Sequence, residues 1–235
     1  ASGGLADGNV YVGDLDLDPE VAWIAEAGFD YARSGAYVRP TVFLRQVDDY
    51  IQGVPFDDTP GVINTPQEMV ASMNGDATPL RFANVDARLY GLDVDAGTQL
   101  VGPWRLDAVL SYVRGERRDI GDNLYRVSPP SLTAGLTYEA LDWSATLETR
   151  LVAEQSDVSA TNSEAETGGY GILNLYGDWT VREGVRLSAG VENLLDQTYR
   201  DHLGGYNQIA GSDVALGGRL PGAGRGAFVR LSLTR

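Results

Sequence analysis

The sequence predicts an all-β fold, an antiparallel up-and-down segment of a transmembrane β-barrel with nine strands. Three observations predict it. Apolar and polar residues alternate with a period of two in nine separate stretches, which puts one face of each extended segment in an apolar solvent and the other in a polar one. No stretch holds the roughly 20 consecutive apolar residues of a membrane-spanning helix, so a chain of this kind crosses lipid only as strands whose backbone groups are all paired. The connections alternate short and long: short near residues 33, 101, 140 and 183, long over 52–80, 114–128, 153–167 and 200–222. Tight turns at one end and extended loops at the other are the mark of an outer-membrane barrel, whereas Greek-key connections in a sandwich have no reason to segregate by length.

Composition narrows the function. The 235 residues suffice for one all-β domain, and the absence of cysteine removes disulfides and thiolate metal sites. With 18 basic against 33 acidic residues the net charge is −15, which excludes nucleic acid as a partner, since phosphate neutralisation needs Lys and Arg. The opening ASGGLADGNV has neither a basic flank nor an apolar core and does not read as a signal peptide.

The strands follow in order. Residues 20–31 place Val21, Trp23, Ala25, Ala27, Phe29 and Tyr31 on one face and Glu26, Gly28 and Asp30 on the other. Residues 37–51 form the second strand, whose pattern weakens at Asp48-Asp49-Tyr50. The third, 82–97, changes phase next to Gly91, which reads as a β-bulge. The fourth, from Trp104 to Val113, sets Trp104, Leu106, Ala108, Leu110 and Tyr112 against Arg105, Asp107 and Ser111. Strands at 132–138, 143–152, 169–181, 185–191 and 228–235 complete the set. Trp23, Phe29, Trp104, Tyr112 and Trp143 share the phase of the aliphatic residues and are expected on the outer, lipid-facing side as an aromatic girdle.

Loop chemistry offers no catalyst. His202 is the only histidine, and no nucleophile elbow accompanies it. Asp14, Asp16 and Asp18 open like a calcium loop, but Pro19 stands where Gly is required and Ala25 where a bidentate Glu is required, so the segment reads as a solvated loop. Glu148 and Arg150 read as residues of a wet inner wall. Residues 52–80 hold four prolines and no sustained period, and are expected to be the longest irregular segment, functional or mobile.

The run GVENLLDQTYRDH, followed by a polar loop, a PGAGR turn and a last strand, resembles the C-terminal end of TonB-dependent outer-membrane receptors. A G-x-x-N-L-x-D-x-x-Y pattern marks the penultimate strand there, and the matching residues are Gly190, Asn193, Leu194, Asp196 and Tyr199. GDLDLDPE at 13–20 and NVDARLYGLDV at 84–94 are similar to two further patterns of the same receptors. The chain departs from them in ending Leu233-Thr-Arg235 rather than on an aromatic residue.

The resemblance implies a larger barrel of about 22 strands with a plugged lumen, of which residues 1–235 are the C-terminal part, the plug domain and the N-terminal strands being absent. It implies TonB-coupled uptake of a ferric siderophore or another metal chelate, copper included, across a bacterial outer membrane. The implied partners are outer-membrane lipid, the plug and remaining strands, the TonB complex through the absent N-terminal region, and the chelate. Neither a cofactor nor an enzymatic role is implied. Met69 and Met73 are the only methionines and stand four apart, a spacing that a helical turn puts on one face, and thioethers suit Cu(I). Their bland reading is two apolar residues packing a loop. His202 is a ligand-contact candidate in the last long loop, set against a solvated loop histidine. The competing class is a secreted, soluble β-sandwich that binds carbohydrate or calcium through acidic loops, and it requires the apolar faces to meet in one core.

Overall fold

The computed structural model describes residues 7–234. The readings of the first six residues and of Arg235 lie outside the described residues. Among the described residues eleven strands and one helix follow in the order β1 (Tyr11–Val12), β2 (Val21–Gly28), β3 (Tyr31–Arg33), β4 (Ala36–Pro55), α1 (Pro66–Met73), β5 (Leu80–Gln99), β6 (Trp104–Arg117), β7 (Ser131–Glu139), β8 (Trp143–Val152), β9 (Tyr170–Arg182), β10 (Val185–Glu192) and β11 (Gly226–Leu233). Nine of the strands form one antiparallel meander in the order β11-β10-β9-β8-β7-β6-β5-β4-β2, in which chain neighbours are always spatial neighbours. β3 continues β2 along β4 after a break at Phe29–Asp30. That break lies opposite Pro40, which has no N–H to give to the ladder.

Because every pair in the meander is antiparallel, alternate connections must fall at opposite ends of the sheet. The turns at 34–35, 100–103, 140–142 and 183–184 therefore lie together, and the connections 56–79, 118–130, 153–169 and 193–225 lie at the other end. The longest connection is 193–225 rather than the 52–80 segment expected from sequence, because β4 and β5 run on into that segment and α1 occupies part of it.

The expected bulge at Gly91 is not there. Gly91 pairs in unbroken register with Phe43 on one side and Val113 on the other. It is glycine because a Cβ would lie 2.6 Å from the Phe43 ring and 2.3 Å from the Tyr112 carbonyl oxygen. The bulge lies in the partner strand, where Asp48 and Asp49 together oppose Asp86 and Asp49 takes a φ of +60°. The phase change read around Gly91 has a different cause. Beyond that point Val47, Ala87 and Leu124 form a small buried cluster on the inner face, joined by Leu89, while the outer face turns polar with the Arg88–Glu116 ion pair. The two solvents exchange sides of the sheet, and the register does not move.

Cross-strand pairing assigns the faces. Trp104 opposes Tyr138, Tyr138 opposes Ala145, and Trp143 opposes Trp179, so these residues share one face with Leu106, Leu110, Leu147 and Leu175. All but Tyr138 and Ala145 are exposed; Trp23, on the same face, is 59% exposed. Trp104 and Tyr138 meet edge to face at 5.1 Å, and Tyr138 stacks on Trp143 at 5.2 Å, forming an aromatic belt at the short-turn end. Tyr112 stands eight residues along β6 from Trp104, about 27 Å of strand, which a tilt of about 40° reduces to about 20 Å, close to the apolar height of an outer-membrane barrel. The accessible surface is 14438 Å², against about 10,300 Å² for a compact soluble monomer of this mass. The apolar faces therefore do not meet in a common core, and the soluble sandwich is excluded.

A charge placed on the lipid face should expose this arrangement. Leu147→Arg, near the middle of the band, is expected to destabilise the protein in lipid by about 2–4 kcal/mol, while Thr146→Arg on the opposite face costs far less. Urea titration of the two variants in lipid vesicles measures the difference, and equal losses would contradict the face assignment.

Candidate ligand site on the inner wall and at the long-loop end

The inner face is polar where the outer face is apolar. On it a recess of about 510 Å³ is lined by Thr133, Glu148, Arg150, Asn174, Glu192 and Tyr199, among others. β8, β9 and the residue that follows β10 set its floor through a hydrogen-bonded relay. The Asn174 Nδ2 group donates to Glu148 Oε1 at 2.9 Å, and the backbone N–H of Asn193 donates to Asn174 Oδ1 at 2.9 Å. A second recess of about 500 Å³ lies toward the loops, bordered by Tyr170, Tyr199, Arg200, Tyr206 and Arg219, and Tyr199 belongs to both.

The motif residues hold the corner between β10 and β11. Asn193 has φ +48° and is buried; its Nδ2 donates to the carbonyls of Gln197 and Ala223, and its Oδ1 accepts from the Gln197 N–H at 2.8 Å. Asn fits this place because a short amide tolerates the left-handed region and can satisfy every polar group around it. The N–H of Leu194 donates to the Leu173 carbonyl at 2.7 Å. Asp196, with φ +54°, accepts the Arg225 N–H at 2.9 Å and so fastens the start of β11. Tyr199 stacks on Tyr170 at 4.5 Å. Gly190 leaves room for two rings, since a Cβ there would lie 2.5 Å from Phe228 and 2.7 Å from Tyr176.

At the loop end the side chains are braced across connections. His202 is 1% exposed, with Nδ1 at 2.9 Å from the Thr167 hydroxyl and Nε2 at 3.0 Å from Glu164. Glu164 also accepts the N–H groups of Arg126 and Ser159, each at 3.0 Å. Arg219 donates to the His202 carbonyl and to the Tyr206 hydroxyl, with its guanidinium 4.7 Å above the Tyr206 ring. His202 is therefore buried rather than a solvated loop residue, and both its ring nitrogens are engaged in tying 193–225 to 153–169.

Asp122 does the same for 118–130 and 153–169, accepting from the N–H groups of Ala160 and Thr161 at 2.9 Å and from the Ser159 hydroxyl at 3.2 Å. Burial alone would raise its carboxyl, but these hydrogen bonds outweigh it and hold the group below its ordinary value. Burial beside Asp7 pushes the Tyr11 and Tyr125 hydroxyls up, both donating to the same carboxylate, at 2.8 and 2.6 Å.

Met69 and Met73 fall on α1, with 57% and 83% of their surface exposed, so they do not pack the loop. The helix forms here because Thr65 caps it, Pro66 supplies a preset φ at its first turn, and the Glu68 carboxylate accepts the Thr65 N–H at 2.9 Å. That T-P-Q-E signature stood in the sequence; a search for strand periods passes over it. Nothing local in the sequence announced the Glu164–His202 and Asp122–Ser159 braces, whose partners are 38 and 37 residues apart.

The family model "TonB dependent receptor-like, beta-barrel" matches residues 1–194, and the chain belongs to that family. Among solved structures, the copper transporter OprC superposes with a TM-score of 0.79 at 27% identity over 93% of this chain. The ferric enterobactin receptor PfeA of Pseudomonas aeruginosa does so with 0.67 at 22% identity over 97%, and the FrpB iron transporter of Neisseria meningitidis with 0.60 at 16% over 95%. The chain spans about a third of the length of these proteins: 32%, 34% and 31%. Among curated proteins, none is a sequence match.

Two outcomes are expected of the braces. Removing both ring bonds in His202→Ala should cost about 1–3 kcal/mol locally, speeding amide exchange in 153–169 and 200–206 by about 10- to 100-fold while leaving β6 and β7 unchanged. For Asp122, a depressed folded pKa stabilises above the ordinary carboxyl value of about 3.9, and that contribution is lost as pH falls through the lowered value. Cleavage of 153–169 by an acid protease should therefore rise as pH drops below about 4, and the rise should be absent in Asp122→Asn.

Proposed function

We propose that the chain is part of the barrel wall of an outer-membrane receptor that takes up a metal chelate, a ferric siderophore or a copper species, in a TonB-coupled reaction. The observation that carries the proposal is the single nine-strand meander with an apolar, aromatic-belted outer face and a polar, recessed inner one. Such a sheet is at home only between lipid and a water-filled or plugged lumen. The likeness to copper and ferric-chelate transporters supports the cargo class.

On this reading residues 1–235 are the C-terminal part of the receptor, and a plug domain and earlier strands complete it. The inner wall offers the plug Glu148, Arg150 and Glu192 as polar contacts. The loop end, ordered by its braces, forms the vestibule where the chelate first meets the protein. Met69 and Met73 stand on that vestibule, whereas His202 shapes it from beneath. The energy for release comes from outside the wall, through the TonB complex acting on the plug; no residue of the wall does covalent chemistry. The partners on this reading are outer-membrane lipid, the plug, the remaining strands and the chelate, and the location is the bacterial outer membrane.

The edges provide the test. β2 and β11 are the first and ninth strands of an alternating meander and so run parallel, whereas bacterial single-chain outer-membrane barrels generally close with an even number of antiparallel strands. Left open in lipid, each unpaired backbone group costs several kcal/mol. Produced alone, the 235 residues are expected to aggregate; produced with the flanking segments of their receptor, they should give a compact species whose gel mobility changes on heating. A monodisperse, heat-modifiable monomer from the 235 residues alone would overturn the proposal that they are part of a larger wall.

A further inference from the structure

The net charge of the chain is not spread over the sheet. Residues 7–20, 56–79, 118–130, 153–169 and 193–225, which make up the long-loop end, carry 18 acidic residues and five arginines, so that 13 of the 15 net negative charges lie there. The remaining wall is close to neutral. The loop 56–79 carries Asp57, Asp58, Glu68 and Asp76 and no basic residue. A face of one sign concentrates counter-ions and speeds their arrival. It repels polyanions by the same measure. Among the described residues no group of three or more His, Asp and Glu is placed to hold a metal, so these carboxylates act through their field and not as a chelating set.

A second observation is independent of charge. α1 buries Glu68 and Ala71 and turns Met69 and Met73 outward, one helical turn apart, which brings their Cβ atoms within about 6 Å. Methionine used for packing is buried, yet the only two methionines of the chain stand in solvent on a helix stiffened by a complete capping box. Thioethers are neutral, soft ligands that select Cu(I) over hard cations.

We propose that the loop carrying α1 captures a soft monovalent metal cation, Cu(I), through the thioethers of Met69 and Met73, in a mouth whose acidic face draws cations toward it. This narrows the cargo within the metal-uptake reading above and rests on it for its physiological meaning. Two thioethers leave most of the ion's coordination open, so the ion is held briefly and can pass on, as a site on a transport route requires.

The probe is Ag(I) alone, a redox-inert counterpart of Cu(I), titrated into the complete receptor purified from the outer membrane. Ag(I) is expected to shift the methyl resonances of Met69 and Met73 together. Met69→Leu/Met73→Leu keeps the apolar surface and the helix propensity and should weaken this binding by at least about tenfold. Asp57→Asn/Asp58→Asn should slow association and flatten its dependence on salt while leaving both methyl shifts in place. Unchanged Ag(I) affinity in the Leu variant, or methyl signals indifferent to Ag(I), would overturn the site. Membrane fractionation and heat-modifiable mobility read the receptor assignment separately. A well-folded outer-membrane protein without methionine-dependent Ag(I) binding sinks this inference alone, and methionine-dependent binding by a protein that fails both membrane assays sinks the uptake reading and leaves the metal site standing.

Discussion

The structure depends on one constraint: in hydrocarbon, no backbone N–H or C=O has water to fall back on. Each must be paired along a strand, which forces the meander of neighbours β11 to β2 and leaves side chains only two directions in which to point. With the backbone settled, sequence is free only to decide which solvent each face meets. Trp104, Leu106 and Leu110 face one way and Arg105 and Asp107 the other on a single strand, and the same rule repeats in β7 and β8. Loop-end chemistry becomes possible only where strands leave the lipid and polar groups can again be satisfied by one another or by water.

This is why the strands were legible and the loops were not. A period of two survives any local propensity, so β8 begins and ends where the alternation says, at Trp143 and Val152. The alternation misled at Gly91, where the sheet crosses from one pair of solvents to another; a change of solvent and a change of register leave the same trace in one strand, and only the partner strand tells them apart. The loops are held by single side chains reaching across other connections, as Glu164 reaches His202, and such pairings have no period. The motif from Gly190 to Tyr199 could be matched as a pattern, but its work of clearing space for two rings and knitting β10 to β11 emerges only from geometry.

Glycine and aromatic residues divide labour on the inner face. At Gly91 the missing side chain is replaced by the ring of Phe43, and at Gly190 by those of Tyr176 and Phe228. A large ring lying over a bare backbone covers the wall without projecting far into the lumen. The wall stays thin there, and the strand beneath remains in register.

The short strand β1 pairs with the start of β5 at Tyr11↔Leu80, along a stretch of β5 that β6 does not reach. From there Asn9 donates to the Asn162 carbonyl at 2.8 Å, and Tyr11 accepts from the Asn162 side chain at 3.1 Å, joining residues 153 and 151 positions apart. Hairpins such as β7–β8 close loops of a few residues; this clasp must await most of the chain, because the entropy of joining distant segments is recovered only when the strands between them are already in place. Because β1 lies off the path of the meander, the clasp can open without undoing any of its strands.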